Sequence, residues 1–332
     1  SVLQKHQIDI LFITNQKSAS SSPMVLAGKK LNIPSTVFIF SWDNLTTKGK
    51  FLSPFDHFFV WGKVMKDELK KYYPQLAEDR MHIVGTPQFH SYFKKEYYQT
   101  KEAFCKAYDL DPKHPIILYS GGTPDTVPQD PYYVESLGKI IAETPQLKGT
   151  QLILRPSPVD NGKRFEHGLS MYPNIKLLHP KWTNNSSENW NKVLPQKEDQ
   201  FLLLNTLLHA DIIINTASTM TIDAFLLGKP VINTAFDRTP YLLGNHIHEV
   251  YYNFEHYQPI ITTQSAKVVT STQALEQAIL DYLNDPTQDQ EKREQLLALE
   301  IGVPVPKSNQ VIIEQLMTIA NQKPVTQQAN SF

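Results

Sequence analysis

FLLLNTLLHADIIINTASTMTIDAFLLGKPVINTAF, from Phe201 to Phe236, reads as helix, strand, tight turn, helix and strand in succession. Leu202, Leu203, Leu204, Leu207 and Leu208 supply a helical apolar face. Asp211 precedes an all-apolar run, Ile212 to Ile214, of the kind that suits a strand buried on both faces. The small and polar residues Asn215 to Thr219 can turn the chain and cap a helix. The spacing predicts that helix over Met220 to Leu227, with Ile222, Phe225 and Leu226 on one face. Gly228 stops it, Pro230 lies just beyond, and Val231 and Ile232 open the next strand. Such a βαβ unit requires a parallel sheet with a crossover. It leaves the amino end of the helix at the carboxyl edge of the sheet, where unpaired N–H groups and a partial positive charge suit a phosphate. Ser218 and Thr219 add hydroxyls there, and Asp223, one turn inside the helix, is placed to meet ribose hydroxyls. The alternative is a plain capped core helix with Asp223 in solvent.

The stretch STMTIDAFLLGKPVI, Ser218 to Ile232, resembles the donor-site helix of GT-B glycosyltransferases and of the related UDP-N-acetylglucosamine 2-epimerases. Those families open the helix with a small-residue turn, carry an acidic residue in it, and follow with Gly-x-Pro-Val-Ile. Ser218 and Thr219 match the phosphate-binding turn, and Asp223 matches the ribose-binding acidic position, usually Glu. The Gly-Gly common in that turn is absent here. The resemblance implies an α/β protein of GT-B type: two Rossmann-like domains with parallel sheets facing a cleft, the N-terminal domain being incomplete in this chain. QIDILFITN is already a strand at the start of the sequence, so the chain is expected to be a fragment or a shortened member. The expected division is 1–95 for an acceptor domain, 96–305 for a nucleotide-sugar domain, and 306–332 for a C-terminal helix and polar tail.

Composition agrees with a globular two-domain protein of 332 residues, with 41% apolar and 20% charged residues. The formal net charge of −1 gives no basis for nucleic-acid binding. Cys105 is the only cysteine, so there is no internal disulfide and a reducing, cytoplasmic compartment is expected. No apolar run reaches the roughly 18 residues needed to span a bilayer.

In the N-terminal half, SWDNLTTKG (Ser41 to Gly49) follows a predicted strand, Pro34 to Phe40, at the end where α/β proteins place ligand contacts. Asp43 is the candidate general base, since a carboxylate here would face the donor across the cleft. Trp42, Asn44 and Lys48 are candidate acceptor contacts. The alternative is an ordinary turn with Trp42 in the core. MHIVGTPQFHSY, from Met81, resembles the crossover between GT-B domains.

In the C-terminal half, Ser120-Gly121-Gly122-Thr123 follows the predicted strand Pro115 to Tyr119, and glycines there let backbone approach a phosphate or donor sugar. The loop lacks GxGxxG. QLILRPSPVD, from Gln151, resembles the Arg-Pro-His-Pro of bacterial surface-polymer transferases, with Ser157 in place of His. Arg155 offers a fork of donors for a diphosphate, or a structural salt bridge. Trp182, or the backbone near Leu178, is a candidate contact for a base. Thr183 to Asp199 reads as a polar surface loop, and the segment after Phe236 as a His- and Tyr-rich loop. His246, His248 and His256 lack carboxylate or cysteine partners at ligand spacing, so no metal is assigned. Helices are expected over Ser271 to Leu283, Gln290 to Leu299 and Ser308 to Ala320, the last returning to the N-terminal domain, followed by a disordered polar tail.

The resemblance implies transfer of a sugar from a nucleotide-diphosphate donor to a glycan or lipid-linked acceptor in bacterial surface-polysaccharide synthesis. Neither cofactor nor metal is implied. A lipid-linked acceptor carries with it peripheral association with the inner face of the membrane. Three rivals stay open: a sugar-nucleotide 2-epimerase, a polyol-phosphate transferase of the CDP-glycerol type, and a non-catalytic nucleotide- or glycan-binding subunit.

Overall fold

The computed structural model describes residues 2–183, 192–238 and 246–322, with the side chain of His248 left out. It divides into two compact units. The chain through His90 together with the chain from Ala298 forms one, and Ser91–Leu297 forms the other. Helix Val305–Asn321 therefore belongs to the first unit. Among the described residues no helix is long and apolar enough to cross a membrane.

The first unit is built on four parallel strands in sequence order: β1 Leu11–Ile13, β2 Ser35–Phe38, β3 His57–Val60 and β4 Met81–Ile83. Val37, Phe58, Phe59 and Val60 are buried. Each such aliphatic or aromatic side chain contributes about 1.5–3 kcal/mol by leaving water. Order 1-2-3-4 has no reversal, so this sheet has no switch point among its described strands.

The second unit adds β5 Ile116–Ser120, β6 Gln151–Arg155, β7 Ile175–Leu177, β8 Trp182–Thr183, β9 Leu194–Pro195, β10 Ile212–Asn215, β11 Val231–Thr234 and β12 Lys267–Val269. Six of these form one parallel sheet in the order β12-β11-β10-β5-β6-β7. The order of strand formation reverses between β5 and β10, as in doubly wound nucleotide-binding folds. β5 and β10 are fully buried, as their unbroken apolar runs require. Helix Asp130–Glu143 lays Tyr133, Val134, Leu137, Ile140 and Ile141 on this core at helical spacing. Helix Thr272–Asn284 does the same with Leu275, Ala278, Ile279 and Tyr282, and the hydroxyl of its N-cap Ser271 accepts from the Ala274 amide at 3.1 Å.

Three features differ from the sequence reading. The polar stretch after Thr183 is not one long loop. β8 and β9 pair antiparallel across it, and helix Lys197–His209 starts well before Phe201; residues 184–191 between them lie outside the described residues. The His- and Tyr-rich segment contains helices Ile247–Val250 and Gln258–Thr263, with Tyr252 and Tyr257 buried. β12 is an edge strand of three residues that begins on Lys267, too short to signal itself by periodicity. The disordered tail is expected from Asn321; Asn321 instead ends helix Val305–Asn321, and the residues from Lys323 on lie outside the described residues.

Candidate functional site

The crevice at a strand-order reversal opens at the carboxyl ends of the two strands that flank it. Here those ends are Ser120 of β5 and Asn215 of β10. The turn after β10 is braced from below by a buried polar network. Asn215 and Asn233, register partners on β10 and β11, bond side chain to side chain at 3.1 Å. Asn215 Oδ1 accepts from the Ser218 amide at 3.1 Å. The hydroxyl of Tyr257 donates to Asn233 Oδ1 at 2.9 Å and lies 3.1 Å from Thr221 Oγ1. Tyr252 donates to the Thr234 carbonyl at 2.7 Å and accepts from the Ala217 amide. Ala217 itself has φ +40, in the left-handed region that favours glycine.

This bracing changes the phosphate-binding expectation. The amides of Ala217, Ser218, Met220 and Thr221 are already bonded, to Tyr252, Asn215, the Ser218 hydroxyl and the Ser218 carbonyl. Helix Met220–Leu226 is only seven residues long. The polar groups that Ser218 and Thr219 present at the half-buried turn are therefore chiefly their side-chain hydroxyls.

Asp223 does not stand in solvent. It is buried, and the Tyr92 hydroxyl donates to its Oδ1 at 2.5 Å. Burial pushes the carboxyl up to about 6, while the Tyr92 bond and the nearby Arg155 charge pull it down. Burial, with the Asp223 charge adding to it, holds the Tyr92 phenol well above its usual range.

Arg155, at the end of β6, is buried, and its Nη2 donates to both oxygens of Asp199, at 2.9 and 2.8 Å. Asp199 also accepts from the Lys181 amide and from Trp182 Nε1 at 2.7 Å. Trp182 therefore spends its donor on Asp199. The salt-bridge reading of Arg155 is realised, yet only one nitrogen is used. Its Nη1, also buried, makes no hydrogen bond with any described residue, nor does the buried Ser157 hydroxyl two residues on.

The Gly121-Gly122 loop is likewise committed. Gly121 N donates to the Arg155 carbonyl at 2.9 Å, and Gly122 N donates to Asp130 Oδ2 at 2.9 Å. A Cβ on Gly122 would sit 2.4 Å from Val127. Glycine is needed there for the loop to fold back on Val127, and neither amide is left for a ligand. Asp130 is buried and bonded by Tyr119 and Arg164, and Arg164 spans to Asp160 at 2.6 Å. Burial nevertheless raises the Asp130 carboxyl to about 6. Sequence reading missed Arg164, Asp130, Tyr92, Asp199, Asn233 and Tyr257. Only Asn233 carried any signal, as a polar residue inside an apolar strand.

In the first unit, Asp43 accepts from Ser41 Oγ at 2.5 Å and Thr47 Oγ1 at 3.0 Å, and Lys48 Nζ stands 3.8 Å from it. Its side chain is 25% exposed, so it is reachable. Trp42 and Asn44 are less accessible: at 3% and 2% exposure they are packed inside the unit. The core reading of Trp42 is the correct one.

A hollow of 440 Å³ lined by Thr144, Pro145, Lys148, Gly149 and Gln151 opens at the opposite, amino-terminal edge of the second sheet, away from these groups. Among the described residues no cluster of three or more His, Cys, Asp or Glu is placed to hold a metal ion.

No family model matches the chain, and comparison with curated proteins gives no match. Solved structures do match. The UDP-GlcNAc 2-epimerase from Neisseria meningitidis bound to UDP-GlcNAc is 15% identical over 96% of this chain and 78% of that one, with a TM-score of 0.56. A putative UDP-N-acetylglucosamine 2-epimerase from Listeria monocytogenes is 12% identical over 97% and 78%, with a TM-score of 0.61. WaaG, a glycosyltransferase involved in lipopolysaccharide biosynthesis, is 12% identical over 95% and 80%, with a TM-score of 0.51. Identities this low speak for the fold alone. The chain has the GT-B-type α/β fold, built of Rossmann-like units on parallel sheets.

Proposed function

We propose that the chain is a glycosyltransferase that takes its sugar from a nucleotide-diphosphate donor. The observation that carries this reading is the Arg155 side chain. A guanidinium anchored by Asp199 through one nitrogen, with the other buried and unbonded beside a strand-order reversal, is a preorganised donor for an anion. In this reading the diphosphate meets Arg155 Nη1 and the hydroxyls of Ser218 and Thr219, and Asp223 accepts from the ribose. Gly121 and Gly122 shape the loop that walls the site rather than bonding the phosphates. These cationic and hydroxyl groups stabilise the charge that develops on the leaving diphosphate. Asp43 takes the proton of the acceptor hydroxyl and Lys48 contacts the acceptor. The acceptor is a glycan or a lipid-linked glycan of a surface polymer, which would bring the protein to the inner membrane face.

A second reading, sugar-nucleotide 2-epimerisation at the same site, draws support from the fold likeness to two epimerases. The first test is a thermal-shift panel with UDP, GDP, CDP and ADP. A nucleotide at about 100 times its Kd adds roughly 2.7 kcal/mol of stability. Stabilisation by one of them supports the donor site, and none with any removes it. Product analysis with the corresponding sugar nucleotide then separates transfer from epimerisation.

A further inference from the structure

Tyr92 joins two parts of the second unit that lie 131 residues apart in sequence, through its hydroxyl and Asp223. It stands two residues past the point where the chain leaves the first unit at His90. The segment that carries it is stitched down. Tyr98 donates to the Tyr92 carbonyl at 2.6 Å. The Asn205 side chain bonds both the Tyr97 carbonyl at 2.9 Å and the Gln99 amide at 2.7 Å. Asn205 lies on helix Lys197–His209, which also carries Asp199, the anchor of Arg155. A buried carboxylate with a phenol partner is costly compared with an apolar pair of the same shape, so packing alone does not account for it.

We propose that Tyr92 is the positioning residue of the nucleotide site, holding one oxygen of the Asp223 carboxylate so that the other faces the ribose diol. This rests on the donor-site reading above. By the same contact, nucleotide binding is coupled to the seating of Ser91–Gln99, the first stretch of chain after the crossing between units. The bond favours the ionised carboxylate, and the diol needs that ionised form as its acceptor.

The test uses the full chain and UDP-, GDP-, CDP- and ADP-glucose, whose diphosphate diesters carry no phosphate group titrating between about pH 5 and 8. In the parent protein, affinity measured by calorimetry should rise with pH through about 6, following Asp223. Tyr92→Phe should weaken binding about tenfold near neutral pH and move the midpoint upward by about one pH unit. The 2′-deoxyribose donor should lose most of this sensitivity. An equal loss at every pH and with both sugars would mean that Tyr92 only supports the fold, and the proposal fails. Asp223→Asn covers the case where Tyr92→Phe does not fold: its binding should no longer vary around pH 6, and an unchanged pH profile overturns the proposal. If the parent protein binds none of the four donors, the donor-site reading falls, and this inference falls with it.

Discussion

Arg155 and Asp199 form a buried pair in which a single guanidinium nitrogen serves both carboxylate oxygens, at 2.9 and 2.8 Å, leaving the other terminal nitrogen of Arg155 with no bond to any described residue. The carboxylate end of the pair is saturated by Trp182 and the Lys181 amide, so it has no spare capacity to pull the second nitrogen in. Asp199 sets the direction of the arginine and leaves its free edge to something else.

Because both charges are buried, truncating either should cost about 3–5 kcal/mol in urea unfolding, since the survivor is left uncompensated. Arg155→Ala therefore mixes stability with binding. Arg155→Lys separates them. A lysine keeps the charge opposite Asp199 but cannot hold two fixed donors, so it should retain most of the stability and lose about tenfold in nucleotide affinity. Nucleotide affinity equal to the parent's in a folded Arg155→Lys protein would take Arg155 out of the site.

Asp43 is tied by two hydroxyls and faced by Lys48, yet remains partly exposed. Asp43→Asn keeps one acceptor oxygen, enough for one of the Ser41 and Thr47 hydroxyls, and removes the base. We expect turnover to fall at least about a hundredfold, the usual contribution of a general base, with nucleotide affinity unchanged. Near-parent turnover would assign proton removal to another group.

Glu300 and Glu68 are both buried in the first unit, and neither carboxylate oxygen of Glu300 bonds to any described residue. Burial first, and the Glu68 charge second, pushes the Glu300 carboxyl up to about 8 from an ordinary value of 4.5. The folded protein thus holds a proton that the unfolded chain gives up in mild acid. The stability this group contributes is fully present below pH 4.5 and is lost as pH rises through about 8. Urea midpoints should accordingly fall between pH 6 and pH 8.5. Glu300→Gln should flatten that fall and be more stable by on the order of 2–4 kcal/mol at the alkaline end. A Glu300→Gln protein with the parent's slope would place the proton elsewhere.

Ala217 and Gly228 bracket helix Met220–Leu226 and both have positive φ, +40 and +71. A side chain at 228 would meet nothing within 4 Å, so Gly228→Ala tests backbone strain alone and should cost about 1 kcal/mol. Ala217→Gly relieves strain in the folded state but frees the unfolded chain, so its net effect should lie between about 0 and +1 kcal/mol of stabilisation. Chemical denaturation of the two single variants checks both signs. Destabilisation by Ala217→Gly would mean that the Ala217 methyl contributes packing that outweighs the strain.

The order of elements through Phe201–Phe236 is legible from residues alone because each signal is local. Unbroken apolar runs make doubly buried strands, a 3.6-residue period makes a helix, and Gly228 stops it within a few residues of where it acts. The same locality explains why strand ends, and with them Gly121, Arg155 and Ser218, could be placed at one sheet edge. It also explains the errors. A tryptophan after a strand reads the same whether it turns inward or outward, and only the packing of the first unit shows Trp42 inside.

What sequence determined here is the parallel α/β architecture and the edge of the sheet at which chemistry collects, since both follow from periodicity and chain direction. Tertiary structure alone decided which donors and acceptors at that edge are still available. Gly122 is consumed by Asp130, Arg155 is half consumed by Asp199, and Asp223 is held by Tyr92, across separations of 8, 44 and 131 residues. Such pairings depend on which strands and loops become neighbours in the finished sheet, and no periodicity in the chain encodes that.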